Sequence, residues 1–479
     1  MCFSRPPKGR NSRPPCLLDW GSRADMVVAD PELMERLALW ARDERLLLFA
    51  HFGLTRHCNL RCRFCFWGDE VGRRGFMPRE VFQKALEEMS RMGTFEIELT
   101  GGEPTIHPEF PEFVEIASRL RFVITVTTNG FRLSEKALAA ISDGLVAEVG
   151  VSVHGARAET HDRLVGRAGA WESATRNIRR LIGEGVRVSV GFVVNKENYR
   201  EIEDARAMFK DMGAGFQLAV KVYNPFRLER VEGLRLRGEG LRNVVKIFPD
   251  PPVCVHPCGA FTNTLYLAYN GDVWPCITLP IRLGNISENS LEEIWEGLDE
   301  KSGSLRRELV SERKNAIYRG VDYFCPSISR AYDGSLGGLD PYLKEIIDLW
   351  LAERESLRLP AKTESPSPPV PSSQGQEIQI SLETQGFYPA HDVAFRLLAG
   401  REKSFLLFWK KAGNRYIALE GPWAEAVCSL LEGGTVGSSI GIMESSFEGF
   451  DRDEALDDMR NLIAEIVRMG FINPPNQST

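Results

Sequence analysis

Six short β-type runs, separated by segments of helical period, constrain this chain more than any other feature. The runs are 48–54 (LFAHFGL), 95–99 (FEIEL), 122–127 (FVITVT), 147–153 (AEVGVSV), 186–194 (VRVSVGFVV) and 215–222 (GFQLAVKV). Helical-period segments lie between them near 78–92, 109–119, 134–142, 171–183 and 199–212. Strand and helix in regular alternation imply an α/β chain with a parallel sheet and crossover helices, either an open doubly wound sheet or a barrel-like one. In a barrel of this type function collects where strands end. The motifs fall there: "CNLRCRFC" follows the first run, "TGGEPT" the second, "TNG" the third and "HGARAETHDRLVG" the fourth.

Composition narrows the class. With 479 residues and 43% hydrophobic content the chain buries a large core and carries one to three domains. A net charge of −7 gives no broad basic footprint, which argues against nucleic acid as the main partner. No apolar run is long enough to span a bilayer, and the first twenty residues lack the apolar stretch of a secretory signal, so a cytoplasmic protein is expected. In a reducing compartment the ten cysteines read as metal ligands, catalytic groups or small buried residues.

Cys58, Cys62 and Cys65 have the spacing C-x3-C-x2-C. A structural zinc site wants four ligands, and only His51 and His57 are nearby; the next cysteine is Cys254. An iron–sulfur cluster on three thiolates keeps one iron open. Spacing alone leaves both readings standing. The order of the three cysteines, Phe64 before the last of them, and "GGEP" after the next strand together resemble the radical S-adenosylmethionine enzymes over roughly residues 45–222. That resemblance implies a partial (β/α)6 TIM-type barrel and a [4Fe–4S] cluster whose open iron chelates S-adenosylmethionine. It also implies reductive cleavage to a 5′-deoxyadenosyl radical. Gly101, Gly102, Glu103 and Pro104 would close around the methionyl ammonium, the ordinary-turn reading being the alternative. Further cofactor contacts fall on Thr128 and Asn129 after the third strand, Ser152 after the fourth and Asn195 after the fifth. Ser152 and Arg163 match positions for the cofactor's carboxylate or ribose. Each polar residue at a strand end equally suits a helix cap. His154 either faces substrate or satisfies a structural hydrogen bond.

A second cysteine group spaces Cys258 and Cys276 around "YLAYNGDVW", where Asn-Gly predicts a hairpin that brings the two thiols together. With Cys325 downstream, it resembles the twitch or SPASM extension of radical enzymes. One auxiliary [4Fe–4S] cluster follows from that resemblance, on Cys258, Cys276 and Cys325 with Cys254 as fourth ligand. Without Cys254 the open iron takes substrate, or His256 intervenes; four thiolates on zinc are the alternative. Cys2, Cys16 and Cys428 lack ligand spacing.

The chain thus divides into an extension (1–44), the barrel (45–222), a small α+β auxiliary iron–sulfur domain ending in a helix (223–358), a Pro/Ser-rich linker (359–384) and a final module (385–475). The last, with strands, two helices and a terminal "GFI", resembles the winged-helix-like PqqD domain, which implies recognition of a precursor-peptide leader. Its candidate contacts are a sheet edge at Phe405–Trp409 and a helix near Met459–Ile466. The expected function is radical maturation of a ribosomally made peptide, crosslinking favoured, with flavodoxin or ferredoxin as electron donor. A radical enzyme of a protein or small metabolite, and a non-catalytic cluster or zinc protein, are the competitors.

Overall fold

The computed structural model describes residues 27–28, 37, 39–42, 44–68, 75–220, 222–226, 229–247, 258–298, 317–318, 321–322, 325–335, 338, 340–357, 387–400, 404–433, 436–446 and 452–473. Cys2, Cys16, Cys254, His256 and the linker at 359–384 lie outside the described residues.

The six runs form the strands β1 (Phe49–Gly53), β2 (Glu96–Thr100), β3 (Val123–Thr128), β4 (Val146–Ser152), β5 (Val188–Val193) and β6 (Gly215–Ala219). They pair in that order, all parallel. The crossovers are α1 (Arg79–Arg91), α2 (Phe110–Arg119), α3 (Glu135–Asp143), α4 (Ala158–Val165) with α5 (Ala170–Gly183), and α6 (Ile202–Asp211). α4 sits inside the stretch read from sequence as a strand-end motif. Gly166 in the left-handed region (φ 68°) stops it and lets α5 restart at Ala170. Ala50, Phe52, Ile97, Leu99, Val126 and Val151 point into a core shared with the helices. Their alternates, His51, Glu98, Thr127, Glu148 and Ser152, line the helix-free face, as period two requires.

The sheet does not end with the barrel. β7 (Thr264–Ala268) adds parallel to β1 on its outer side, and β8 (Asp272–Trp274) and β9 (Gly284–Asn285) continue antiparallel, giving nine strands. The predicted hairpin is thus a sheet extension; Gly271 supplies the φ of 83° at its turn. The same region holds α7 (Gly238–Ile247), α8 (Leu291–Glu296), α9 (Pro326–Asp333) and α10 (Pro341–Leu357); α7 packs on α10 and α8 on α1. The buried pair Arg235–Asp340 (Nη2–Oδ2 2.6 Å) ties the stretch after β6 to the start of α10.

The last module is an antiparallel sheet, β10 (Val393–Ala399), β11 (Ser404–Lys410) and β12 (Arg415–Glu420), followed by α11 (Pro422–Leu431), α12 (Val436–Ser446) and α13 (Arg452–Arg468). α12 is an additional helix; its sequence VGSSIGIMESS has no clear apolar period. The edge expected at Phe405–Trp409 is corrected: these residues form the central strand, paired with β10 on one side and β12 on the other, so no backbone group remains for an added strand. Their uninterrupted apolar run reflects cover on both faces. Leu407, Trp409, Ala418, Ala394 and Leu398 pack on Leu48, Phe95, Val123 and Leu145 at the strand starts of the barrel. Leu406, Phe408, Ile417 and Leu419 pack on Trp423, Val427, Met459 and Ile463 of the helices. Lys411 Nζ donates to Gly144 O at 2.6 Å and Arg396 Nη2 to Leu120 O at 2.8 Å, closing the same contact. The module therefore plugs the end of the barrel opposite the motif-bearing loops.

Candidate functional site

The loop after β1 carries the cysteine triplet, and the loop after β2 holds it by backbone alone. Gly102 N donates to Thr55 O at 2.6 Å and Glu103 N to His57 O at 2.9 Å. A Cβ on Gly101, whose φ is 137°, would lie 2.4 Å from Thr55 O, and one on Gly102 would lie 2.3 Å from His57 O. The two glycines are thus required for the cysteine loop to sit against the strand end.

Glu103 is fully buried beneath this contact. Its carboxylate accepts from Thr105 N (3.1 Å), Thr105 Oγ1 (2.6 Å), Thr128 Oγ1 (2.6 Å) and Asn129 N (2.7 Å). Burial pushes its pKa up while these four donors oppose the rise. Asn129 then links the turn to the cysteines: Nδ2 donates to Asn59 Oδ1 at 2.8 Å and approaches Cys58 Sγ at 3.6 Å. Three strand-end motifs form one connected unit.

Cys58, Cys62 and Cys65 line one cavity of about 420 Å³ with Arg61, Arg63, Asn224 and Arg230. Burial pushes the Cys58 thiol up to about 11, with Glu103 adding to it, and burial likewise raises Cys62 and Cys65. Such thiols ionise when a cationic centre binds them. Among the described residues no three His, Cys, Asp or Glu side chains converge as ligands of a single ion. What the site offers instead is three thiols around a cavity, together with buried N–H donors lacking partners at Asn59 Nδ2 and Trp67 Nε1. Orphan donors beside sulfur ligands suit an anionic sulfide-rich cluster.

The other residues singled out from sequence separate into groups. Ser152 ends β4 on the helix-free face, in register with Gly191 and on the same face as Gly150. A Cβ on Gly191 would meet nothing within 4 Å, so this part of the face has room for a ligand. Arg163 is exposed on α4 and pairs with Glu197 (3.0 Å), which also bonds Arg63 of the cysteine loop. Asn195 is fully buried in a turn, its Oδ1 accepting from Glu197 N at 2.9 Å. His154 is buried too: Nδ1 accepts from Val193 N at 3.1 Å and its backbone N donates to His161 Nδ1 at 3.0 Å. It takes the structural of its two readings.

Sequence reasoning missed Asn224, whose Nδ2 donates to Cys65 O at 3.0 Å, and Arg230 beside it. The Asn-Pro turn signal in "YNPF" was the available cue. It also missed a second cavity of about 400 Å³ on the other side of Cys58, lined by Arg61, Arg132 and Arg167, the last two lying over the Phe131 ring.

At the auxiliary site Cys258 and Cys276 pack on one small core with Ala260, Phe261 and Leu279. Cys325 caps α9, and the Ser327 hydroxyl bonds Thr278 O, two residues beyond Cys276. The two sites meet through aromatics: Trp67, two residues after Cys65, lies 5.8 Å from Trp274, two residues before Cys276.

Fold and site together define a partial parallel barrel with a three-thiol cavity at its strand ends. Residues 53–209 match the Radical SAM superfamily and residues 258–317 the SPASM iron-sulfur cluster-binding domain, so the chain carries both domains. The matched families make a [4Fe–4S] cluster, S-adenosylmethionine and an auxiliary iron–sulfur cluster the cofactors of this fold. Among curated relatives, the antilisterial bacteriocin subtilosin biosynthesis protein AlbA of Bacillus subtilis is 26% identical over 52% of this chain and 59% of its own length. The Fe-coproporphyrin III synthase of Methanosarcina barkeri is 27% identical over 36% of this chain and 42% of its own. The PqqA peptide cyclase of Gluconobacter oxydans is 26% identical over 50% of this chain and 74% of its own. The chain thus spans only about half the length of the first two. The S-adenosylmethionine-bound SuiB of Streptococcus suis shares the fold with a TM-score of 0.51 and 15% identity, covering 64% of this chain and 81% of that one.

Proposed function

We propose that the protein is a radical S-adenosylmethionine maturase of a ribosomally made precursor peptide, forming a thioether or carbon–carbon crosslink. The observation that carries it is the thiol triplet, lining one cavity that holds no other His, Cys, Asp or Glu among the described residues and locked to the Gly101–Gly102 loop. Cys58, Cys62 and Cys65 would hold the cluster and leave its fourth iron to the cofactor. When bound, the pair supplies one-electron cleavage of the C5′–S bond, giving methionine and a 5′-deoxyadenosyl radical that takes a substrate hydrogen.

This chain's residues orient and insulate that chemistry. The loop at 101–104 and the Ser152–Gly191 end of the sheet would receive the cofactor, Asn129 would donate to the Cys58 sulfur, and Trp67 and Leu60 would exclude water. Cys258, Cys276 and Cys325, with Cys254, would carry the auxiliary cluster. The cationic cavity of Arg61, Arg132 and Arg167 beside Cys58 suits an acidic electron donor such as flavodoxin or ferredoxin.

The last module, as a PqqD-like element, would bind the leader. It sits at the strand starts, whereas the thiols sit at the strand ends. β4 has seven residues, a length of about 23 Å, so leader and modified residue must be separated by at least about seven extended residues. The PqqA peptide cyclase likeness supports a peptide substrate; the Fe-coproporphyrin III synthase likeness favours the second reading, a small metabolite.

Anaerobic reconstitution followed by a 5′-deoxyadenosine assay tests the core reading. Cys58→Ala, Cys62→Ala and Cys65→Ala should each abolish product; undiminished product in any of them would sink it. A short open reading frame beside the gene, its product modified by the enzyme, would separate the peptide reading from the metabolite one.

A further inference from the structure

The two edges of the sheet β12–β11–β10 are not equivalent. The β10 edge is turned into the barrel. Arg121 Nη1 donates to Val393 O and Ala390 O at 3.1 Å, and Gly93 lies against Leu397 O, where a Cβ would come within 3.4 Å. Next to β12, among the described residues, stands one partner: the two-residue strand Val27–Val28 of this same chain. It runs antiparallel, with Val27 opposite Ala418 and Val28 opposite Ile417. Strand addition, the way sheets accept extended peptides, has already occurred on this molecule in cis.

On the PqqD-like reading β12 is the sheet edge left for a leader strand; we propose that Val27–Val28 is an intramolecular placeholder on that edge, displaced when a peptide enters. The docking half rests on the peptide-maturase reading; the self-occupancy does not. A ladder of two residues forms few hydrogen bonds, so covalent tethering within the same chain, which raises its effective concentration, holds it. While seated it covers an edge that would otherwise template aggregation. The edge also specifies its occupant. Ile417 and Leu419 belong to the helix-side core and Ala418 to the barrel-side core, so a strand added beside them meets apolar neighbours on both faces. At the paired positions it must then be apolar and free of proline. The segment itself reads MVVA at 26–29.

The test uses a fluorescently labelled peptide of residues 22–32 (SRADMVVADPE) and anisotropy on the full chain. The double variant Val27→Pro/Val28→Pro empties the edge by removing two backbone donors. It should bind the peptide at least about tenfold more tightly than the unaltered chain, while a peptide carrying the same two prolines should not bind. Deletion of residues 1–30, which keeps the helical residues 37, 39–42 and 44, should reproduce the gain, and amides of 415–420 should exchange faster in both variants. Equal binding by unaltered and variant chains, or no binding by either variant, overturns the proposal. No cofactor enters this readout, so a chain that binds the peptide yet modifies no precursor keeps the self-occupied edge and loses only the maturase reading.

Discussion

Glu96→Gln should stabilise the protein in alkaline solution and leave it unchanged in acid. Glu96 opens β2 at the end of the sheet plugged by the last module. Burial, and then the charges of Glu98 and Glu148, raise its carboxyl from the usual 4.5 to about 7. Tyr416 of β12 is near enough that, after burial, this carboxylate is the next cause of its raised phenol. A folded pKa above the unfolded one means that the native state binds the proton more tightly. Below pH 4.5 both states are protonated and the group contributes nothing. Between 4.5 and 7 the native state alone keeps the proton, so stability falls as pH rises; above 7 the full cost stands. At about 1.4 kcal/mol per pH unit that cost is about 3 kcal/mol, an upper figure because the side chain retains some contact with solvent. Glutamine keeps the shape without the charge. Urea midpoints of the anaerobic protein and of Glu96→Gln, taken at pH 4.5 and pH 8, should coincide at the lower pH, with the variant higher at the upper one. A variant less stable at pH 8, or offset equally at both pH values, would refute the assignment of the strain to this ionisation.

Gly102→Ala should cost about 2 kcal/mol through forced backbone movement and should lower iron content after reconstitution, because its Cβ would meet His57 O at 2.3 Å. Arg235→Ala strands the buried Asp340 carboxylate and should cost about 3–5 kcal/mol in urea unfolding, whereas Arg235→Met with Asp340→Leu should recover most of it. Asn129→Leu removes the amide beside Cys58 Sγ and should lower the midpoint potential of the reconstituted cluster in an EPR-monitored titration, since N–H donors to sulfur favour the electron-rich state.

Much of the barrel was legible because periodicity reports burial directly. Ala50, Phe52, Ile97 and Leu99 alternate with polar residues that face away from the helices, and every run from 48 to 222 became a strand. The same reasoning misplaced the edge of the last sheet. Phe405 to Trp409 is apolar at each position, a pattern that reports cover on both faces but not which strands lie beside it. Sheet order is a non-local property, and the cover on one face comes from Phe95, Val123 and Leu145, far away in sequence. The site was legible where chemistry sits in spacing, as in C-x3-C-x2-C. It was not legible where a residue acts through a long loop, as Asn224 does on Cys65 O.

The role of the glycine pair is sharper in structure than in sequence. Read as a motif, Gly101–Gly102 offers a close approach for a bound ammonium; in the fold their missing side chains are already used by Thr55 O and His57 O. Glu103, expected with its neighbours to close around the ammonium, anchors the turn whose Asn129 reaches Cys58. A carboxylate with four internal donors has little capacity left for a cofactor, so any ammonium held here must be met chiefly by backbone carbonyls of the loop. The same loop positions the cysteines and, on the proposed function, would also receive the cofactor. A single side chain added at either glycine should therefore disturb both functions together, and Gly102→Ala should lose iron and cofactor affinity in proportion.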